Sequence, residues 1–175
     1  MSALRLAAVT FQPVGVVRSP FTDPVGMPIQ AVAARGVPGL LELDPVYEAG
    51  LSDLDGFSHV IVIYHLHRSQ PGRLVVTPFL DTQPRGIFAT RSPQRPNAIG
   101  LSTLRVVRVD GPRVHVEDVD MLDGTPILDL KPYVPQFDDR PADRIGWFAG
   151  QIDRVGGTRA DARFTPGPAE EAGRA

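Results

Sequence analysis

Apolar and β-branched residues recur along the chain in short runs that alternate with turn-forming residues. Runs of this length, bounded by Gly, Pro and Asp, favour short strands over helices. The predicted strands cover residues 14–17, 39–43, 59–66, 74–76, 87–89, 101–109, 114–119 and 127–130. Helical turns are predicted at 45–51 and near 138–148.

One hairpin is marked by a dipeptide. Residues 105–109 and 113–117 both alternate apolar and polar side chains, and Asp110-Gly111 stands between them. Glycine accepts a positive φ, so this dipeptide is typical of a two-residue hairpin turn. Several short strands joined in this way predict a mainly β fold, a small closed or partly open barrel with short helical turns.

Composition narrows the fold further. The chain has 17 Gly and 18 Pro among 175 residues, which leaves little room for long helices. It contains no Walker-type phosphate loop, no Gly-x-Gly-x-x-Gly after a strand and no Gly-x-Ser-x-Gly elbow, so a Rossmann-type nucleotide fold is disfavoured. Large apolar residues become scarce after Gly150, which predicts a barrel domain over residues 1–150 and an extended or flexible tail over 151–175.

The absence of cysteine and the near-neutral charge exclude several kinds of site. The chain has no Cys and a formal net charge of -2, which excludes disulfides, thiolate metal sites and cysteine nucleophiles and leads us to expect a cytoplasmic protein. No apolar run approaches the ~20 residues of a membrane span. Near-neutral charge argues against coating nucleic acid by bulk electrostatics, although residues 85–113 hold six Arg and one Asp.

The loop between two predicted strands carries the first candidate site. Residues 88–102 read FATRSPQRPNAIGLS, in which Pro and Gly stiffen the chain around Arg91 and Arg95. A rigid arginine fork binds carboxylate or phosphate at two points, so the loop is a candidate anion receptor. A turn with two surface arginines is the alternative.

A second candidate follows at residues 120–133, DMLDGTPILDLKPY. This stretch holds three carboxylates, a phenol and Lys131, the only lysine of the chain. Lys131 has an ion pair with Asp129 as its plainer role, and Asp123-Gly124 alone would indicate a turn.

Three histidines lie in or next to the third predicted strand. His59, His65 and His67 are spaced so that their side chains would share one face. His59 and His65 would be about 20 Å apart along the strand, so at most two of the three would share a metal. We therefore predict no metal site.

Together these segments resemble the TsaA-like family, also called TrmO. The two motifs at 88–102 and 120–133 appear in the family's order, and Gly15-Val16-Val17-Arg18-Ser19-Pro20 and Phe57-Ser58-His59 are also similar. The resemblance covers residues 14–133. It implies a small β-barrel that binds S-adenosylmethionine, usually as a homodimer, and that methylates N6 of threonylcarbamoyladenosine, the base that follows the anticodon in certain tRNAs.

The same resemblance implies specific site residues. Two loop segments differ from the family pattern, since Ile29 replaces a charged residue and Arg68 adds a charge. Longer members of the family also carry a further C-terminal domain. The cofactor-binding residues that it implies are Pro28, Ile29, Gln30, His67, Arg68, Arg91, Leu101, Glu117, Asp118, Val119 and Asp120.

The reaction also needs an acceptor for the proton that leaves the adenine nitrogen. Asp123, Asp129 and Tyr133 are the candidates, and the residues alone do not choose among them. Arg95, Asn97 and Lys131 are the candidate contacts to RNA phosphate or to the threonyl carboxylate.

Three functions remain open at this point. The first is the tRNA adenine-N6 methyltransferase. The second is a non-catalytic module that binds S-adenosylmethionine or RNA, and the third is a methyltransferase with another RNA or a small molecule as acceptor.

Overall fold

The computed structural model describes residues 6–165. Eight strands dominate this part of the chain. They are β1 (Gly15–Arg18), β2 (Gly39–Leu43), β3 (His59–His65), β4 (Val75–Val76), β5 (Arg85–Gly86), β6 (Ile99–Asp110), β7 (Arg113–Glu117) and β8 (Pro126–Pro132).

Within residues 6–165, helical structure is confined to short turns. The one α-helical turn is α1 (Pro135–Asp138). The 3₁₀ turns are Ala31–Ala33, Pro45–Leu51, Leu54–Gly56, Ile87–Ala89, Gly146–Gly150, Ile152–Arg154 and Ala162–Phe164. The turn predicted at 45–51 is therefore confirmed, and two separate turns stand where one was predicted near 138–148.

Six strands close into an antiparallel barrel, as predicted. Their order is β1-β2-β7-β6-β3-β8, and β8 pairs with β1 to complete the ring. Alternation along β3 shows why the chain closes in this way, because Val60, Val62 and Tyr64 are buried while His59 and His65 point outward. The inward side chains join Leu41, Leu104, Val114 and Ile127 in one core.

The β6–β7 hairpin is confirmed at the predicted place. Asp110 pairs with Arg113 across the loop, and Gly111 has a φ of +55°. Strand β7 ends two residues earlier than the alternation predicts. Asp118 takes a φ of +71° there, and its carboxylate accepts a hydrogen bond from the Gly36 amide at 2.7 Å. This positive φ is incompatible with an extended strand, so β7 ends before Asp118.

A second layer lies in the connection between β3 and β6. Strands β4 and β5 form a separate two-stranded sheet there. The strand predicted at residues 87–89 is wrong, since these residues form a 3₁₀ turn closed by the Thr90 amide bonding to the Ile87 carbonyl at 3.1 Å. Ile87 is buried against Val76 and Phe164 in a small cluster of its own.

Residues 151–165 are not the extended or flexible tail that composition predicts. Val155 and Phe164 are buried, and the Gly26 amide donates to the Ala160 carbonyl at 2.8 Å. An aromatic contact contributes to the packing, because Phe164 meets Phe79 edge-to-face at 4.9 Å. The remaining tail residues, 166–175, lie outside the described part of the chain.

Among residues 6–165, no helix has the length and apolar character needed to cross a membrane.

Candidate functional site

A cleft of about 1270 Å³ lies between one end of the barrel and the second layer. The ends of β3 and β6 form one wall through Tyr64 and Ser102. The motif loop around Arg91 forms another, and residues 145–165 close a third side with aromatic and aliphatic side chains.

The loop that carries Arg91 is held rigid by its own residues. Arg95 donates from its guanidinium to the carbonyls of Thr90 at 2.9 Å and Ile87 at 3.3 Å. Ser69 donates to the Pro93 carbonyl at 2.7 Å, which ties the loop to the end of β3. These hydrogen bonds make the loop stiff, as the sequence predicts. Arg95 contributes to this stiffness because its guanidinium binds carbonyl groups of its own loop.

Arg91 itself projects into the cleft. Its Nη1 donates to the side-chain oxygen of Gln30 at 3.0 Å. Arg91 is otherwise exposed, so most of its five donors remain available to an anionic ligand.

A buried hydrogen-bond chain faces Arg91 across the cleft. Ser102 donates to the Asp120 carboxylate at 2.7 Å, and the Tyr64 hydroxyl lies 3.2 Å from the Ser102 oxygen. Since the single Ser102 proton is directed at Asp120, Tyr64 is the donor of the second bond. Burial raises the pKa of Asp120 to about 6, while the Ser102 bond and Arg91 oppose that rise.

Gly100 makes this arrangement possible. It pairs with Tyr64 between β6 and β3, and a Cβ atom at residue 100 would overlap the Tyr64 ring. Burial, followed by the charge of Asp120, raises the pKa of the Tyr64 hydroxyl, which therefore stays protonated as a donor.

Ser92 adds a polar group that the sequence analysis did not single out. Its side chain is 5% exposed and lines the cleft beside Arg91. Among residues 6–165 its hydroxyl has no hydrogen-bond partner. A buried, unsatisfied hydroxyl is costly unless a ligand bonds to it.

Most of the predicted cofactor-binding residues come together in this cleft. Those that line it are Pro28, Ile29, Gln30, His67, Arg68, Arg91, Leu101, Asp118 and Asp120. Burial, and then the charge of Arg68, lowers the pKa of His67, which favours its neutral form. Arg68 donates to the Thr22 carbonyl at 2.7 Å and so fixes the first loop.

Two predicted cofactor-binding residues do not line the cleft. Glu117 is on β7 and faces Arg105 on the outer surface of the barrel at 3.7 Å. Val119 is fully buried in the core. Because Asp118 adopts a positive φ, the chain turns here, and only Asp118 and Asp120 of this stretch reach the cleft.

The structure places none of the three proton-acceptor candidates in the cleft of this chain. Asp123 accepts a bond from the Ser19 amide at 3.1 Å, which joins the segment after β1 to the segment before β8. Asp129 is paired with Lys131 at 2.8 Å on an exposed part of β8. Tyr133 donates to Asp139 at 2.8 Å, and this bond raises the pKa of its hydroxyl.

Of the three residues predicted to contact RNA, only one lines the cleft. Arg95 lines the cleft, but its guanidinium is bonded to the loop carbonyls. Asn97 and Lys131 are exposed and lie outside the cleft. Lys131 has the ion pair with Asp129 that the sequence suggested as its plainer role.

Sequence reasoning missed Tyr64, Ser92 and Ser102, together with Trp147 and Phe148. Ser92 and Ser102 stand inside the motif that was singled out, so their place was a usable signal. Trp147 and Phe148 belong to no recognisable sequence motif. Their position depends on how residues 145–165 pack against the rest of the protein.

His59 and His65 point away from the barrel core, and β3 ends before His67. No group of three His, Asp or Glu side chains within residues 6–165 is arranged to hold a metal ion.

Comparison with known proteins places this geometry in a family. Residues 16–139 match the family described as the tRNA-methyltransferase O N-terminal domain. A crystal structure of TrmO from Pseudomonas aeruginosa aligns with a TM-score of 0.68 at 34% identity, covering 81% of this chain and 63% of that one.

Curated relatives share much of the sequence. A Pyrococcus abyssi protein named "Probable S-adenosyl-L-methionine-binding protein" is 46% identical over 89% of this chain and 85% of its own length. The tRNA (adenine(37)-N6)-methyltransferase of Mus musculus is 36% identical over 78% of this chain, which spans 33% of that longer protein. The match over most of the barrel and the shared fold show that this chain belongs to the tRNA-methyltransferase O (TrmO) family.

Proposed function

We propose that this chain transfers a methyl group from S-adenosylmethionine to N6 of threonylcarbamoyladenosine at position 37 of tRNA. The observation that carries the proposal is one cleft holding Arg91 on a rigid loop and Asp120 on the facing wall. Relatives named for S-adenosylmethionine binding and for tRNA adenine-N6 methylation support the same reading.

The residues of the cleft fit S-adenosylmethionine. A ligand with a sulfonium, an ammonium and a carboxylate needs a buried anion, a cation and apolar walls, and Asp120, Arg91 and Leu101 provide them. Ser92 supplies a buried hydroxyl that lacks a protein partner within residues 6–165. When bound, the cofactor supplies an electrophilic methyl group.

The protein's own contribution is mainly position and charge. The Asp120 carboxylate attracts the cationic groups, and the Ser102 hydroxyl holds that carboxylate toward the cleft. Arg91 and Gln30 orient an anionic group on the other side. The adenine N6 lone pair is delocalised, so in-line placement of the acceptor is the largest gain that the protein can offer.

We further propose that the protein acts as a homodimer on the anticodon loop, in the cytoplasm. Large apolar side chains around the cleft edge support a second copy, since Val32 is 74% exposed and Leu101 is 53% exposed. Anticodon loops offer unpaired bases, which eases access to N6.

Calorimetric titration with S-adenosylmethionine, and with S-adenosylhomocysteine in parallel, is the first test. Binding of both is expected. The second test follows methyl transfer from labelled cofactor to tRNA that carries threonylcarbamoyladenosine, with unmodified transcript as the control. Transfer to the modified tRNA alone is the expected result.

Each of three other outcomes would contradict this function and would indicate a different conclusion. Cofactor binding without transfer to any RNA would indicate the non-catalytic binding module. Transfer to the unmodified transcript would indicate a different acceptor. No binding by a folded sample would remove the methyltransferase proposal.

A further inference from the structure

An aromatic pair lies in the cleft beyond the segment that matches the family. Trp147 and Phe148 stack with ring centroids 3.9 Å apart and an interplanar angle of 26°. Both side chains are half-buried and line the cleft. They follow residue 139, where the family match ends.

Two contacts hold Trp147 in place. The Trp147 indole N–H donates to the Ala89 carbonyl at 2.8 Å, in the motif loop. The Arg85 guanidinium lies 5.6 Å from the centre of a Trp147 ring, a cation–π distance. The pair is therefore preorganised, which lowers the entropic cost of binding a flat partner.

The cleft has room for more than one ligand group. Its volume of about 1270 Å³ exceeds the roughly 300–1000 Å³ typical of a small-molecule pocket. The residues implied in cofactor binding come from the first loop, the end of β3, the motif loop and the segment around Asp120. None belongs to residues 145–165, which lie beyond the resemblance, so the resemblance assigns the aromatic pair no role in cofactor binding.

Charge around the cleft favours a nucleotide as the second occupant. Arg35 and Arg68 are exposed lining residues in addition to Arg91, which is assigned to the cofactor. The lining carboxylates of Asp118 and Asp161 are bonded to the Gly36 amide and to Arg163, each at 2.7 Å. Aromatic rings beside arginines are the usual platform for an unpaired base, which has a flat face above and a phosphate alongside. An apolar peptide would gain nothing from the arginines.

We propose that Trp147 and Phe148 form the stacking platform for the acceptor base, an adenine displaced from the anticodon loop. This inference rests on the proposed function and names the residues that bind its substrate. An adenine ring also belongs to the cofactor, so the test separates the two sources.

The test compares Phe148→Leu and Trp147→Leu with Phe137→Leu. Phe137 is an exposed aromatic residue that does not line the cleft, so its variant is the matched control. Stacking is worth roughly 1–3 kcal/mol per base, so the KM for tRNA is expected to rise at least about fivefold in both cleft variants. The Kd for S-adenosylmethionine is expected to stay within about twofold of the wild-type value in Phe148→Leu, which leaves the Trp147–Ala89 hydrogen bond intact.

A conservative variant separates stacking from folding. Trp147→Phe keeps a ring and is expected to recover most of the tRNA affinity that Trp147→Leu loses. Trp147 is also the only tryptophan of the chain, so its emission reports on the platform. Titration with an anticodon stem-loop RNA is expected to quench this emission in the wild type and in Phe137→Leu.

Two results would overturn the inference while the proposed function stands. One is an unchanged KM for tRNA in both cleft variants. The other is a Kd for S-adenosylmethionine that weakens as much as the KM rises, which would assign the platform to the cofactor's adenine. If the wild type binds RNA without methylating it, the proposed methyltransferase function fails but the stacking platform can still be tested. The affinity for the stem-loop RNA, measured by fluorescence anisotropy, is then compared among Phe148→Leu, Trp147→Leu and Phe137→Leu.

Discussion

The Ser102 hydroxyl donates to the Asp120 carboxylate at 2.7 Å. This bond joins the inward face of β6 to the segment that follows β7. It gives a half-buried carboxylate a fixed direction into the cleft, where burial has raised its pKa to about 6. A charged group held at such a cost is typical of a functional site.

Asp120→Asn is expected to stabilise the protein and to abolish cofactor binding. The ionised carboxylate is disfavoured by burial, and a pKa that rises from 3.8 to about 6 corresponds to a gain of about 1–3 kcal/mol in the free energy of unfolding at pH 7 when the charge is removed. Urea unfolding and calorimetry measure the two effects. Asp55→Asn, at an exposed carboxylate, is the control, and equal effects of both variants would contradict the prediction.

Cofactor affinity is expected to depend on pH through Asp120. Its ionised form attracts the cationic groups, so affinity should be full about one pH unit or more above this pKa of about 6 and should fall as the pH drops through it. The Ser102 bond lowers this pKa, so Ser102→Ala should move the midpoint of the curve to higher pH. Calorimetry between pH 5 and 8 checks both statements, and a flat curve for the wild type would refute them.

The stability of the ligand-free protein should change with pH in the opposite direction. A carboxyl group with a raised pKa binds more protons in the folded state than in the unfolded state, so the contribution of Asp120 to stability decreases as the pH rises from about 4 to about 6. Thermal melting of the wild type and of Asp120→Asn isolates this contribution. The difference between their melting temperatures should widen over that interval.

Gly100→Ala is expected to destabilise the barrel. The added methyl group would overlap the Tyr64 ring, and overpacking of this kind costs about 1–3 kcal/mol. Gly86→Ala is the matched control because a Cβ at Gly86 meets no atom within 4 Å. Denaturant unfolding of the two variants should differ in the midpoint, and equal midpoints would show that the Tyr64 ring can move aside.

Arg95→Met distinguishes a structural arginine from an RNA ligand. Its guanidinium satisfies the carbonyls of Ile87 and Thr90, so removal should cost about 1–3 kcal/mol of stability and weaken cofactor binding by loosening the Arg91 loop. Arg108→Met, at an exposed arginine, is the control. A higher KM for tRNA with unchanged stability and unchanged cofactor affinity would instead support the RNA contact predicted from the sequence.

Phe164→Ala tests whether residues 151–165 belong to the folded unit. Phe164 is 8% exposed and packs against Phe79, and buried Phe→Ala changes cost about 3–5 kcal/mol. A single, earlier unfolding transition is expected by circular dichroism. Unfolding identical to the wild type would restore the flexible tail that composition predicts.

Local patterns were sufficient where neighbours in sequence decide the structure. The β6–β7 hairpin follows from Asp110-Gly111, and the two-residue period of a strand places His59 and His65 on the same face of β3. The same logic failed at residues 87–89, because a three-residue apolar run fits a 3₁₀ turn as well as a strand. It also failed at Asp118, whose positive φ is stabilised by the distant Gly36 amide.

The sequence by itself determined the mainly β barrel and the motif loop around Arg91, because periodicity and motif content are properties of the chain. The family resemblance identified nine of the residues that line the cleft. Only the tertiary structure decided which carboxylate faces the cleft, that Arg95 serves its own loop, and that Trp147 and Phe148 complete the third wall. Burial, charge and contact depend on which segments fold back on one another. The hydrogen bonds of Ser102 with Asp120, Trp147 with Ala89 and Arg91 with Gln30 join residues that lie 18 to 61 positions apart in sequence, a separation over which no local pattern carries information.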